Sequence, residues 1–131
     1  MGLAVTLLDE TTRGEVLNRT SLRLVSERVT MRELITQRIR QEVDRYNAEK
    51  QETFFGLVRP TEAEEKLNGY KLRTPKLVSF EQQLKLALRA FESNGFFVLV
   101  DDRQVDELDE TVTLSEGSTV SFVKLVPLVG G

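Results

Sequence analysis

The chain has 131 residues, of which 40% are hydrophobic and 30% are charged, and its net charge is −3. This balance excludes a disordered tract, and the length is enough for one domain with a core of its own. No apolar run approaches the roughly 20 residues that a membrane-spanning helix needs, and the acidic balance argues against a nucleic-acid partner held by phosphate neutralisation.

Cysteine and histidine are both missing from the chain. The protein therefore lacks a thiol nucleophile, an imidazole base and the commonest zinc ligands, and it has no disulfides. No phosphate-cradling glycine motif is present. We expect a carrier, a binding module or the substrate of an enzyme rather than an enzyme, with no bound cofactor or metal. The opening MGLAVTLLDETT lacks the features of a secretory signal, so we expect a reducing, cytoplasmic location.

Two strands are predicted at the start of the chain. LAVTLLD at 3–9 is rich in branched apolar residues, and SLRLVS at 21–26 partly alternates apolar and polar side chains. Arg13 and Gly14 between them indicate a turn. We therefore predict an opening hairpin.

The segment VTMRELITQRIRQEVDRYNAEK, at 29–50, predicts a long amphipathic helix. Thr30 and Glu33 have capping-box spacing, and Val29 with Leu34 has the spacing of a hydrophobic staple. One helical face carries Ile35, Ile39, Val43 and Tyr46. The charged side chains assigned mostly to the other faces are Arg32, Arg38, Arg40, Glu42 and Arg45.

The region 51–94 is predicted to contain two further helices. TEAEEKLNG at 61–69 has capping-box spacing and predicts a short helix, whereas YKLRTPK at 70–76 predicts a loop. SFEQQLKLALRAFESNG at 79–95 predicts a longer helix that ends before Gly95. The apolar face of this helix is predicted to consist of Phe80, Leu84, Leu88 and Phe91.

The last third of the chain predicts strands. FFVLV at 96–100 is typical of a strand buried on both faces, QVDEL at 104–108 of a short edge element, and TVSFVKL at 119–125 of a final strand. Strands at both ends with a helix between them predict an α+β fold whose first and last strands lie side by side in parallel. That pairing buries Val120 and Phe122 and leaves the chain past Leu125 projecting from the sheet.

Three segments resemble the ubiquitin-like β-grasp family, and in particular its ThiS/MoaD sulfur-carrier branch. They are VTMRELI at the helix start, FFVLVDDRQVDELDETVTLSEGSTVSFV, and the terminal Gly130-Gly131. Gly117-Ser118 stands where that branch usually has Gly-Asp. The resemblance implies a single β-grasp (ubiquitin-like) domain over 1–131, an α+β fold in which a long helix packs on one face of a mixed sheet. The region at about 51–94 is then a helical insertion, and about 126–131 a flexible tail.

The resemblance assigns the function to that tail. In the family, an E1-like enzyme uses ATP to activate the terminal carboxylate as an acyl-adenylate, which here is the carboxylate of Gly131, preceded by Gly130. Glycine allows the close backbone approach that a narrow active-site channel requires. The residues expected to bind the activating partner are Leu125, Val126, Pro127, Leu128 and Val129.

Three functions remain open from the sequence. The first is a protein modifier that is conjugated to target proteins, with an E1-like enzyme and possible E2-like and JAB-type peptidase partners. The second is a sulfur carrier that ends as a thiocarboxylate, and the third is a non-covalent interaction domain. The long helical elaboration and the length of the tail favour the modifier. Neither a nucleic acid nor a membrane is expected as a partner.

Overall fold

The computed structural model describes residues 2–49, 54–60, 63–65, 69–72 and 77–125. Over these ranges the fold is α+β, as the sequence predicts. In chain order the elements are β1 (Leu3–Thr11), β2 (Val16–Leu24), β3 (Arg28–Thr30), α1 (Met31–Glu49), β4 (Ala63–Glu65), β5 (Tyr70–Leu72), α2 (Phe80–Glu92), β6 (Phe96–Val100), β7 (Arg103–Val105), β8 (Thr111–Thr113) and β9 (Thr119–Lys124).

The main element of the described fold is a mixed sheet of five strands. The strands run in the order β2-β1-β9-β6-β7. The predicted hairpin is confirmed, because β1 and β2 pair antiparallel, and so is the parallel pairing of the first and last strands, with Leu7 opposite Val120 and Asp9 opposite Phe122. On its other side β9 pairs antiparallel with β6, so β9 has a neighbour on both sides.

The core lies between the sheet and the two helices of the described chain. Alternation along β1 turns Val5 and Leu7 to the same face, and the opposing β9 residues Val120 and Phe122 are fully buried there. The predicted apolar face of α1 is confirmed, since its four residues are all buried against this sheet face: Ile35, Ile39, Val43 and Tyr46. None of the helices in the described ranges is both long and apolar enough to cross a membrane.

The start of α1 is fixed by the cap that the sequence predicts. The hydroxyl of Thr30 accepts a hydrogen bond from the backbone N–H of Glu33 at 3.1 Å. Val29 and Leu34 are both buried, as a hydrophobic staple requires. The backbone N–H of Met31 donates to the carbonyl of Glu110 at 2.9 Å, which ties the helix start to the strand pair formed by β3 and β8.

The predicted short helix at 61–69 and loop at 70–76 are wrong where the structure describes them. Residues 63–65 form β4 and residues 70–72 form β5, and these strands pair antiparallel, with Glu65 opposite Tyr70. Phe54 extends the pairing, because its backbone exchanges hydrogen bonds of 2.6 and 2.7 Å with Tyr70. Helix propensity amounts to a few tenths of a kcal/mol per residue, ~0.5 on average, so pairing partners override it over three residues.

The helix predicted at 79–95 is confirmed as α2. Its N-cap is Ser79, whose hydroxyl accepts from the N–H of Gln82 at 3.2 Å. The buried side is rotated relative to the prediction, because Gln83, Ala87 and Phe91 are buried while the three other predicted residues are only half-buried: Phe80, Leu84 and Leu88. Helix α2 packs against α1, and the guanidinium of Arg40 lies 3.5 Å above the ring centre of Phe80.

Strand β6 confirms the predicted strand but only in part its burial. Phe96, Val98 and Val100 are buried, whereas Phe97 and Leu99 are half-buried on the sheet face away from α1. The prediction that FFVLV is buried on both faces is therefore wrong for one face. No described element covers that face, because both helices pack on the other side.

A polar junction closes the turn before β9. The hydroxyl of Ser118 donates to Oδ2 of Asp101 at 2.9 Å and accepts from the N–H of Ser115 at 2.9 Å. The other oxygen of Asp101 accepts from the N–H of Thr119 at 2.9 Å. Gly117 has φ of 85°, a left-handed conformation that favours glycine. This junction joins the β6–β7 turn to the start of β9.

Candidate functional site

The carboxyl end of β9 is where the predicted functional tail begins. Lys124 is the last residue of the strand, paired with Thr11 on one side and Phe96 on the other. Leu125 follows it and is 44% exposed, so the last described residue lies at the surface. The remaining predicted site residues lie outside the described part of the chain: Val126, Pro127, Leu128, Val129, Gly130 and Gly131.

Beneath this end of β9 lies a buried ion pair between Asp9 of β1 and Arg38 of α1. The pair is two-pronged: Nη1 of Arg38 donates to Oδ1 of Asp9, and Nη2 donates to Oδ2 at 2.9 Å. Both side chains are about 4–5% exposed. The guanidinium carbon of Arg38 also lies 4.5 Å from the ring centre of Phe122. The guanidinium therefore contacts an aromatic ring with its face while its edge is hydrogen-bonded to Asp9.

Glu42 extends this pair by one helical turn. Its Oε2 accepts from Nε of Arg38 at 3.0 Å, and its Oε1 accepts from the backbone N–H of Leu57 at 3.0 Å. Burial raises the pKa of Glu42 above its ordinary value, and the attraction of Arg38 offsets only part of that effect. Burial also lowers the pKa of Arg38, but attraction by Glu42 and Asp9 outweighs it, so the pKa of Arg38 is raised.

Lys124 connects the charged cluster to the segment 54–60. Its Nζ donates to the carbonyl of Gly56 at 3.0 Å and lies 3.8 Å from Oδ2 of Asp9. Gly56 has to be glycine here, because a Cβ would overlap the ring of the fully buried Phe54. The last residue of β9, helix α1 and the segment 54–60 are thus held together at one end of the sheet.

Sequence reasoning missed this cluster, which we call the base cluster: Asp9, Arg38, Glu42 and Lys124. The sequence assigned Arg38 mostly to the polar side of α1, which is wrong, because Arg38 is buried. A signal was present: Arg38 follows Met31, Leu34 and Ile35 at helical spacing, so it falls within the buried stripe. Its spacing to Glu42 of four residues also fits an ion pair along a helix.

The contacts at this site hold the end of β9 in place, and the chain continues from there. Within the described residues, no group of three or more histidine, cysteine, aspartate or glutamate side chains is arranged to hold a metal ion. The base cluster orders the last residue of β9 and leaves Leu125 exposed beyond it. Comparison with known proteins returns no matching family model, no matching curated protein and no matching solved structure.

Proposed function

We propose that this chain is a ubiquitin-like β-grasp protein modifier, whose Gly131 carboxylate is adenylated by an E1-like enzyme and then joined to target proteins. The observation that carries the proposal is the position of β9. It pairs in parallel with β1 and antiparallel with β6, and it ends at Lys124, with exposed Leu125 following. A reactive tail needs a fixed origin of this kind.

The arrangement of sheet and helix supports the β-grasp assignment. Parallel first and last strands, a hairpin at the start and a long helix on one face are the features that the resemblance implies. The helix also begins with the VTMRELI segment, and its capping bond at Thr30 forms. The β4–β5 pair and α2 are additions to this plan.

The base cluster supports a role for the tail that follows it. A charged cluster buried under one strand end costs desolvation free energy, and an apolar replacement is often as stable. Its position at the end of β9 fits a need for a fixed tail origin. The segment 54–60 lies beside that origin, because Gly56 is hydrogen-bonded to Lys124. An activating enzyme that binds the tail therefore also meets this segment.

The chemistry proposed for the tail requires no catalytic group from this chain. The E1-like enzyme supplies ATP, and the Gly131 carboxylate attacks its α-phosphate to form an acyl-adenylate and release pyrophosphate. A thiol of a partner or an amine of a target then displaces AMP at the acyl carbon. Glycine at the last two positions leaves that carbon unhindered.

The experiment uses the form of the chain that ends at Gly131, incubated with its E1-like enzyme and ATP. Pyrophosphate exchange is expected with this form and is expected to vanish when Gly131 is deleted. A control is Asp102→Asn, which changes an exposed side chain in the β6–β7 turn, at the opposite end of β9 from the tail, and should leave exchange unchanged. Equal exchange by the Gly131-deleted chain would contradict activation at this carboxylate. When sulfide is added to the reaction, its displacement of AMP to give a product in which one carboxylate oxygen is replaced by sulfur would instead identify a sulfur carrier.

A further inference from the structure

A cavity of about 250 Å³ opens between the hairpin of β1 and β2 and helix α1. It is distinct from the tail, although Asp9 and Glu42 of the base cluster form part of its wall. From the strands, Asn18 and Thr20 face the same side as Asp9 and Leu7, which they oppose in the hairpin. The other wall comes from α1 and the rim from Phe55.

The oxygens of the buried carboxylates in this cavity already have hydrogen-bond donors. Both oxygens of Asp9 accept from Arg38, and the two oxygens of Glu42 accept from Arg38 and from the N–H of Leu57. A cation entering the cavity would have to displace one of these donors. This argues against a cation as the ligand.

The hydrogen-bond donors are not fully used. Arg38 employs three of the five N–H groups that a guanidinium carries, which leaves two. Arg45 lies two helical turns further along α1, lines the cavity and has no ion pair or hydrogen bond with any described residue. Gln41 and Tyr46 of the same helix also line the cavity, and both side chains carry neutral donors.

We infer that this cavity binds a small oxyanion, a phosphate or a short carboxylic acid, between Arg45 and one remaining N–H group of Arg38. Guanidinium groups match the planar edges of carboxylate and phosphate with two parallel hydrogen bonds. Arg45 has such an edge to offer, whereas Asp9 and Glu42 occupy the edges of Arg38 and leave it single N–H groups. Arg38 is held rigid by Asp9 and Glu42, so its donors need no ordering when the ligand enters. The volume suits a ligand of a few non-hydrogen atoms, because a liquid water occupies ~30 Å³.

Binding is tested on the full chain with two probes, inorganic phosphate and succinate, at constant ionic strength. Chemical shifts of the backbone and of the arginine Nε groups are followed in ¹H–¹⁵N spectra. We expect at least one probe to saturate a single site with Kd on the order of 1 mM, shifting signals of Arg38, Arg45 and Thr20. Which probe saturates distinguishes a phosphate ligand from a carboxylic acid.

The decisive variant is Arg45→Gln, which removes an exposed, unpaired side chain and leaves the buried pair intact. Loss of a charged hydrogen bond predicts affinity weaker by about tenfold or more. The matched control, Arg89→Gln, removes an exposed arginine from α2, outside the cavity, and should leave affinity unchanged. No saturation by either probe at concentrations up to ~50 mM, well above the expected Kd, would overturn the site. Equal binding by Arg45→Gln, or equal weakening by Arg89→Gln, would overturn it as well. None of these outcomes depends on activation of Gly131.

Discussion

Arg38 of α1 donates two parallel hydrogen bonds to the carboxylate of Asp9 of β1, and both side chains are only about 4–5% exposed. The pair stands next to Phe122 of β9 and connects three central elements of the fold: the helix, the first strand and the last strand. Because both charged groups are buried away from water, each is stabilised mainly by its interaction with the other. The stability of the whole domain should therefore respond strongly when one of them is removed.

Replacement of Arg38 by Met tests this dependence. Removing one member of a buried pair strands an uncompensated charge, so we expect the free energy of unfolding to fall by about 3–5 kcal/mol. In the double variant Asp9→Leu with Arg38→Met, the effects should be less than additive by at least ~1 kcal/mol. Chemical unfolding measures both, with the exposed Arg89→Met as control. Additive losses would contradict the coupling.

The raised pKa of Glu42 predicts how this residue contributes to stability as pH changes. Burial raises the folded-state pKa above that of an unfolded glutamate, about 4.3, so the folded state holds the proton more tightly. The contribution of Glu42 is then most favourable below the unfolded pKa and declines as pH rises through the folded pKa. Between pH 4 and pH 8, the unfolding free energy of the natural chain should therefore fall relative to that of the Glu42→Gln variant. A shift in its favour would contradict the sign.

Gln83 offers a route to a more stable protein. Its side chain is fully buried on α2, and neither the amide nitrogen nor the amide oxygen has a hydrogen-bond partner among the residues that the structure describes. Replacement by Met keeps a similar length and removes two unsatisfied polar atoms, so we expect a gain of about 1–3 kcal/mol in unfolding free energy. The exposed Gln37→Met on α1 is the matched control and should change little. A loss of stability in Gln83→Met would show that the amide is satisfied in solution.

The junction of Ser118 with Asp101 leaves no room for a second carboxylate. Asp101 already supplies one carboxylate oxygen to the hydroxyl of Ser118 and the other to the N–H of Thr119. Ser118→Asp should therefore destabilise the protein by more than the ~1 kcal/mol expected for Ser118→Ala, because two carboxylates then face each other. Adding Asp101→Asn should recover most of the loss, since an amide can donate to the new carboxylate. Absence of recovery in unfolding measurements would contradict this arrangement.

Much of the fold was predictable because its signals are local. The cap at Thr30 and the apolar stripe of α1 follow from spacing along the chain, and so does the N-cap of α2 at Ser79. Strand β4 was missed because its three residues have helical composition, and β5 because its segment was predicted to be a loop; both adopt strand geometry only through pairing.

The base cluster was harder to predict because it joins residues distant in sequence. Asp9 and Arg38 are 29 positions apart, and Lys124 is further still. An alternating strand gives no sign that Asp9, rather than an apolar residue, faces the helix. The burial of Arg38 was predictable, since its position in the buried stripe of α1 follows from the helical spacing of the sequence. The orphaned amide of Gln83 likewise depends on how α2 is rotated against its neighbours, which propensity does not specify.

The most direct measurement of the proposed function is the mass of the fragment left on conjugated target proteins. The last lysine or arginine of the chain is Lys124, so trypsin leaves the seven residues LVPLVGG of 125–131 attached to the acceptor. A protein modifier predicts tryptic peptides from targets in which an amine carries this fragment through an amide bond to Gly131. Those peptides should vanish from cells that express the Gly131-deleted chain. Recovery of the chain with an unmodified or sulfur-substituted end, and of no such branched peptide under conditions where the E1-like enzyme is active, would contradict it.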